Sequence, residues 1–199
     1  MKTLLVMLAL ALLMVAGCGG GKQVTRLDPQ STTDLSGRWN DTDSRLVAEE
    51  MISDALSRPW LTDYIEQAGH KPVVTIGTIR NETSEHIAMG TFISDFEREL
   101  INSGSVRFIA APGQRDELRQ ERQEQQEFAT AETAKKMRAE TGADFMLQGS
   151  IKTITDQEDG ARVVFYQTDL ELVNLESIEK VWIGTKKIKK GIAQSGTKW

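Results

Sequence analysis

The 199-residue sequence is poor in the side chains from which most enzyme sites are built. It contains one cysteine, Cys18, and two histidines, His70 and His86. One cysteine excludes an intramolecular disulfide, and the histidines lack the His-x-x-x-His spacing of a zinc motif. The Gly-x-Ser-x-Gly turn of serine hydrolases and the glycine-rich turn of phosphate sites are also missing. We therefore predict that the protein is not an enzyme and holds no metal or cofactor.

An excess of positive charge is missing as well. The chain has 24 Lys and Arg against 29 Asp and Glu, a net charge of −5 at pH 7. A nucleic-acid partner requires a basic footprint, so none is expected. The exception is Lys186–Lys190, within a lysine-rich C-terminal segment. Two interpretations stay open: this run docks on an acidic partner or an anionic cell-wall polymer, or its lysines protect an edge strand from pairing with other chains.

Long apolar runs are missing beyond the N-terminus. Met1-Lys2 is followed by an apolar run from Leu4 to Val15 and by the small residues Ala16-Gly17. A charged start, a short apolar run and a small-residue exit are the layout of a secretory signal. The run is shorter than the about 20 residues that span a bilayer. We therefore expect residues 1–17 to be a signal peptide that is removed after export.

The position of Cys18 directly after this run indicates an anchor. Val15-Ala16-Gly17-Cys18 resembles the lipobox of bacterial lipoproteins, in which the cysteine is acylated and becomes the mature N-terminus. The resemblance implies a lipidated Cys18, and several acyl chains hold a protein stably on a membrane. A plain signal peptide with a chance cysteine is the alternative. Gly19 stands where inner-membrane lipoproteins often carry Asp, so the analogy favours the outer membrane, facing the periplasm.

The rest of the chain divides into a tether and one domain. Residues 18–36 are predicted to be the lipidated N-terminus and a flexible tether, because Gly, Ser, Thr, Gln and Asp dominate them. Residues 37–199 are predicted to be one globular periplasmic domain, large enough to build a hydrophobic core. Trp39, Trp60 and Trp182 are expected to anchor that core. We expect a monomer.

Apolar spacing predicts several helices in this domain. The predicted helices are one from the N-cap group Asn40–Asp43 to Arg58, then Trp60–Ala68, Ile87–Ser103, Gln114–Glu127 and Thr130–Thr141. The inward side chains predicted for the third are Phe92, Ile93, Phe96, Leu100 and Ile101.

β-branched segments predict about five strands. They are Val73–Ile79, Val106–Ile109, Asp144–Thr155, Arg162–Asn174 and Lys180–Lys190. The last three are joined by short connections and are therefore expected to form antiparallel hairpins. The earlier strand–helix–strand order predicts a parallel pair with a helical crossover. The predicted fold class is α/β (α+β), with a mixed sheet of about five strands flanked by helices.

Four segments in order resemble a known family. They read SGRWNDTDSRLVAEEMI, PVVTIGTIRNETSEHI, GADFMLQGSI and LELVNLESIEKVWIG. Together they resemble the LpoB-type outer-membrane lipoproteins over about residues 36–190. The resemblance implies a fold like the N-terminal domain of TolB and a non-enzymatic role. In that role the protein binds a class A penicillin-binding protein, a peptidoglycan synthase, and activates it by shifting it toward its active state.

The sequence departs from the family pattern at the tether and on the third strand. Some members carry a long proline-rich tether, whereas this one is short and has only Pro29. A position that would face a partner is Gln148 rather than an aromatic residue. We predict Arg80, Asn81 and Gln148 as partner-binding residues, at opposite ends of neighbouring strands.

A different envelope assembly is the competing function. A lipoprotein of the same fold class could serve a secretion channel of the curli type. Such a channel needs pairs of about ten-residue alternating strands for a membrane barrel. The predicted sheet leaves no such pair to spare.

Overall fold

The computed structural model of the chain describes residues 23–130 and 140–193. The chain separates into two compact units, residues 1–31 and 32–199. In the first unit, the described residues 23–31 include a turn in which the Ser31 amide donates to the Asp28 carbonyl at 2.9 Å. The predicted signal peptide, Cys18 and nearly all of the predicted helix Thr130–Thr141 lie outside the described residues. Across the described ranges, no helix is long and apolar enough to cross a membrane.

The second unit is built on a mixed five-stranded sheet, as predicted. Its helices are α1 (Asp41–Leu56), α2 (Pro59–Ala68), α3 (Met89–Asn102) and α4 (Pro112–Phe128), and its strands are β1 (Val73–Asn81), β2 (Arg107–Phe108), β3 (Phe145–Glu158), β4 (Ala161–Asn174) and β5 (Lys180–Ala193). The strand order is β2-β1-β3-β4-β5. β1 is parallel to β2 and β3, whereas β3, β4 and β5 are antiparallel neighbours.

Local sequence signals explain where the first two helices begin and end. At the start of α1 the Asn40 side chain accepts from the Asp43 amide at 3.1 Å, and the Asp43 carboxylate accepts from the Asn40 amide at 2.9 Å. This reciprocal capping box satisfies two amides that the helix itself leaves without partners. α2 begins at Pro59 and ends at Ala68; Gly69 follows as its cap, with a φ of 72°, the left-handed conformation that favours glycine.

The hydrophobic core lies between one face of the sheet and helices α1 and α3. Its fully buried side chains include Val47, Ala48, Phe92, Phe96, Ile76, Leu147, Ile151, Tyr166 and Leu170. The tryptophans are anchors as predicted: Trp60 and Trp182 are buried, and Trp39 packs against the core. The indole N–H of Trp182 donates to the Asp54 carboxylate at 2.8 Å, which ties β5 to α1.

The prediction that Ile101 faces the core is wrong. Ile101 is 54% exposed. The buried stripe of α3 runs through Phe92, Phe96 and Leu100. One further residue rotates by about 100° around the helix axis, which carries Ile101 away from the sheet.

Two tight connections join the long antiparallel strands. Asp159-Gly160 links β3 to β4 with both φ angles positive, at 45° and 80°. This matches a type I′ turn, whose twist suits a hairpin and whose residues are typically Asp-Gly or Asn-Gly. The second connection, residues 175–179 between β4 and β5, contains another left-handed residue, Ile178, with φ of 62°.

Candidate partner-binding face

The face of the sheet turned away from α1 and α3 is polar. Side chains alternate between the two faces along each strand, so the register assigns them. Gln148 lies opposite Glu171, and Arg80 lies opposite Ser150, which is itself opposite Asp169. We call this surface the polar face; its polar members include Arg80, Gln148, Lys152, Gln167, Asp169, Glu171, Thr185 and Lys187. The exposed Ile154 and Ile183 lie on the same face.

Glu171 is the centre of the first cluster on the polar face. Gln148 Nε2 donates to its Oε1 at 2.7 Å, and Lys180 Nζ donates to its Oε2 at 2.6 Å. These hydrogen bonds, together with the positive charges of Lys180 and Arg80, lower the pKa of Glu171 below its ordinary value. The carboxylate therefore stays ionised at neutral pH and holds the Gln148 amide in one orientation.

Asp169 organises a second cluster next to it. Its carboxylate accepts from Thr185 Oγ1 and Gln167 Nε2, each at 2.9 Å, and from Lys152 Nζ at 3.3 Å. Burial opposes its ionisation, but these donors outweigh burial and lower the pKa of Asp169. The result is a surface of positioned amide, hydroxyl and ammonium groups around two ionised carboxylates.

The structure brings two of the three predicted contact residues together. Arg80 is the penultimate residue of β1 and Gln148 the fourth of the longer, parallel β3, toward opposite ends of neighbouring strands as expected. They are nevertheless close, because Arg80 aligns with Ser150, two residues along β3 from Gln148. A register shift in β1 between Ile76 and Ile79 puts Arg80 on the polar face; without it, Arg80 would align with the buried Ile151. No residue pattern in the sequence predicts this shift. The Arg80 side chain is 69% exposed beside Glu82, at 3.6 Å. Arg80 and Gln148 thus share one accessible surface.

Asn81 has a different environment. It aligns with the fully buried Ile151, so its side chain belongs to the other face of the sheet. There its Oδ1 accepts from Thr83 Oγ1 at 2.7 Å, and its Nδ2 donates to the Glu85 carbonyl at 2.8 Å. Asn81 shapes the loop that follows β1. The loop in turn places Glu85, which accepts from the Tyr166 hydroxyl at 2.8 Å.

The lysine run on β5 is split between the two faces of an edge strand. Lys190 is largely buried and contacts Asp34 and Asp43, at 2.6 Å each, and Lys186 pairs with Glu50 on α1. Burial disfavours the charge of Lys190, but the two aspartates outweigh it and raise the pKa of this lysine. Two of the four lysines therefore fasten β5 to the rest of the domain. Successive residues of a strand point to opposite faces, and this alternation is the sequence signal that distinguishes Lys186 and Lys190 from Lys187 and Lys189.

The arrangement favours recognition over proton transfer. An acid–base pair needs two groups whose environments push their pKa values apart. On the polar face, however, Asp169 and Glu171 both have lowered pKa values. Among the described residues no three His, Cys, Asp or Glu side chains form a metal-binding group. What the face offers is hydrogen bonds and charges in fixed positions.

Three solved structures among those that match this chain are LpoB structures and a lipoprotein. The C-terminal domain of LpoB from Escherichia coli is 17% identical, with a TM-score of 0.41 over 73% of this chain and 98% of that chain. The NMR structure of E. coli LpoB is 13% identical, with a TM-score of 0.41 over 89% and 84%. Lipoprotein GNA1162 from Neisseria meningitidis is 14% identical, with a TM-score of 0.38 over 64% and 88%. No curated protein sequence matches the chain.

The sequence itself carries the family assignment. The sequence model of the family described as peptidoglycan-synthase activator LpoB matches residues 43–188. The matched range runs from the first turn of α1 into β5 and includes the strands of the polar face. Since it spans well over half of the chain, the protein belongs to the family of the peptidoglycan-synthase activator LpoB.

Proposed function

We propose that the protein is a lipid-anchored envelope protein that binds a class A penicillin-binding protein and activates peptidoglycan synthesis. The family match over residues 43–188 is the observation that carries this proposal. The polar face supports it, because ionised carboxylates fix donors there in a geometry suited to docking. In this role the protein performs no chemistry of its own. Binding of this protein stabilises the active state of the synthase. The gain in synthase activity is limited by how much more tightly the protein binds the active state than the inactive one.

Arg80 and Gln148 are the proposed direct contacts. The guanidinium of Arg80 is exposed and presents several donors in a fixed plane, which suits a carboxylate or a carbonyl edge on a partner. Gln148 is held by Glu171 and loses little side-chain freedom on binding. Asn81 is proposed to act indirectly, because its hydrogen bonds to Thr83 and Glu85 keep the neighbouring loop in place.

The remaining proposals concern the membrane. Cys18 is the proposed lipidation site after removal of residues 1–17. The tether predicted over residues 18–36 is proposed to end at Ser31, because Asp34 contacts Asn40 and Lys190 of the domain. The anchor is assigned to the outer membrane with the domain in the periplasm. Such an arrangement confines the domain near its partner and raises the effective concentration of each for the other.

Reconstitution tests this function directly. Residues 19–199, without the lipidation site, are titrated into the class A synthases of the same organism while lipid II polymerisation is followed. We expect acceleration that saturates, together with direct binding. Arg80→Ala and Gln148→Ala should each weaken binding by about 1 kcal/mol or more. Arg98→Ala on α3 is the control, since that arginine is also exposed, at 49%, and pairs with Asp95 away from the polar face. Failure to bind any class A synthase would remove the proposal.

A further inference from the structure

In the loop between β4 and β5, one isoleucine has a backbone conformation that is unfavourable for isoleucine. Ile178 has a φ of 62° and is 70% exposed. In the left-handed region a β-branched side chain crowds its own backbone, and glycine or asparagine usually occupies such positions. The side chain of Ile178 is therefore both strained and in contact with water. Strained residues of this kind are typical of functional sites, so we look for a role of Ile178 in binding another molecule.

The backbone of the loop explains the conformation but not the side chain. The Asn174 carboxamide oxygen accepts from the amides of Glu176 and Ser177 at 2.8 and 3.0 Å. The Ile178 amide donates to the Asn174 carbonyl, and the Asn174 amide donates to the Glu179 carbonyl. These four bonds close the loop and require a left-handed residue at position 178. Glycine would satisfy them without strain, so the fold does not require isoleucine.

We propose that Ile178 is the apolar anchor with which the protein docks on its synthase. This inference rests on the proposed function and adds a contact residue to it. Lys180, two residues further on, pairs with Glu171, to which Gln148 also donates, so the loop continues the polar face. An aliphatic side chain beside oriented polar groups is the composition of a binding hot spot with its rim.

Charge indicates what kind of surface receives this anchor. Glu176 and Glu179 flank Ile178 and are exposed. The complementary surface is an apolar socket rimmed by Lys or Arg on the periplasmic part of the synthase. A second copy of this chain is a poor fit, because two such loops would bring their glutamates together.

The test uses substitutions with opposite expected effects on stability and on binding. Ile178→Gly and Ile178→Asn are made in residues 19–199 and compared by thermal unfolding and by affinity for the synthase. Relief of the strained backbone should raise the Tm by about 2 to 4 °C. Loss of the anchor should weaken binding by about tenfold or more. The matched control is Ile101→Asn, an isoleucine of α3 that is 54% exposed and turned away from the sheet, which should leave affinity unchanged.

Each outcome decides the inference. A higher Tm with weaker binding supports it. If the wild type binds the synthase and both variants bind equally well, Ile178 is not the anchor, although the proposed function stands. If the wild type binds no class A synthase, both proposals fall. If the variants instead abolish self-association in sedimentation experiments, the anchor belongs to an interface between copies and the synthase contact is wrong.

Discussion

At the scale of single residues, a buried hydroxyl marks a place where the core is not optimal. Thr168 on β4 is 1% exposed and faces the core, and within the described ranges its Oγ1 has no hydrogen-bond partner. A buried polar group without a partner has lost its water and gained nothing in return. Thr168→Val keeps the shape and removes the hydroxyl. We expect the free energy of unfolding to rise by about 1 kcal/mol, measured by urea denaturation.

Thr75 provides the matched control for this substitution. It is similarly buried, at 2% exposed, but its Oγ1 donates to the Ile109 carbonyl at 3.4 Å. Thr75→Val therefore removes a hydrogen bond and leaves a carbonyl short of a donor, so stability should not rise. If Thr168→Val destabilised the protein as Thr75→Val does, the hydroxyl of Thr168 would have a partner after all.

At the scale of the elements, the close pairing of β3 and β4 depends on Gly149. A Cβ at this position would overlap the backbone carbonyl of Asp169 on the neighbouring strand and a methyl group of Leu170. A backbone carbonyl within a ladder cannot move aside as the end of a flexible side chain can. We expect Gly149→Ala to lower the free energy of unfolding by about 1–3 kcal/mol, the usual range for overpacking. Gly149 adjoins Gln148, so synthase binding should weaken with it.

Gly90 is the control, because it tests glycine replacement without a clash. It lies in the first turn of α3, and a Cβ there would meet no atom within 4 Å. Alanine has the higher helix propensity, so Gly90→Ala should leave stability equal or slightly raise it. If denaturation showed both alanine variants to be equally stable, the sheet would have adjusted around Gly149 and the argument from close pairing would fail.

The elements also show what the sequence alone could predict. The types and order of the described helices and strands were predictable, because β-branched runs, N-cap residues and helical spacing are local signals. The neighbourhood of Arg80 and Gln148 was not, since it depends on the register shift between Ile76 and Ile79. Nor was the strained φ of Ile178, which follows from hydrogen bonds to Asn174 at the opposite end of the loop. Register and loop closure are properties of paired segments and are invisible within one segment.

At the scale of the whole molecule, the first residues of the folded domain decide how much chain is left for a tether. The carboxamide of Asn40 donates to the Asp34 carboxylate at 2.7 Å, and Lys190 contacts the same carboxylate. The second compact unit accordingly begins at Thr32. From Cys18 to Ser31 there are 14 residues. Fully extended, they reach at most about 50 Å.

Shortening this segment tests how far the domain must extend from the membrane, without changing the surface that binds the synthase. Deleting residues 23–31 removes up to about 30 Å of reach and leaves the polar face and Ile178 unchanged. We expect the deletion to abolish function in cells that depend on the activator, measured as incorporation of labelled cell-wall precursor. The purified deleted form should activate the synthase normally. Replacing the same nine residues by a Gly/Ser segment of equal length should preserve function, because length rather than sequence sets the reach. A deletion that functions fully in cells would show that the domain meets its partner without the length of this segment, and the proposed tether would have to be abandoned.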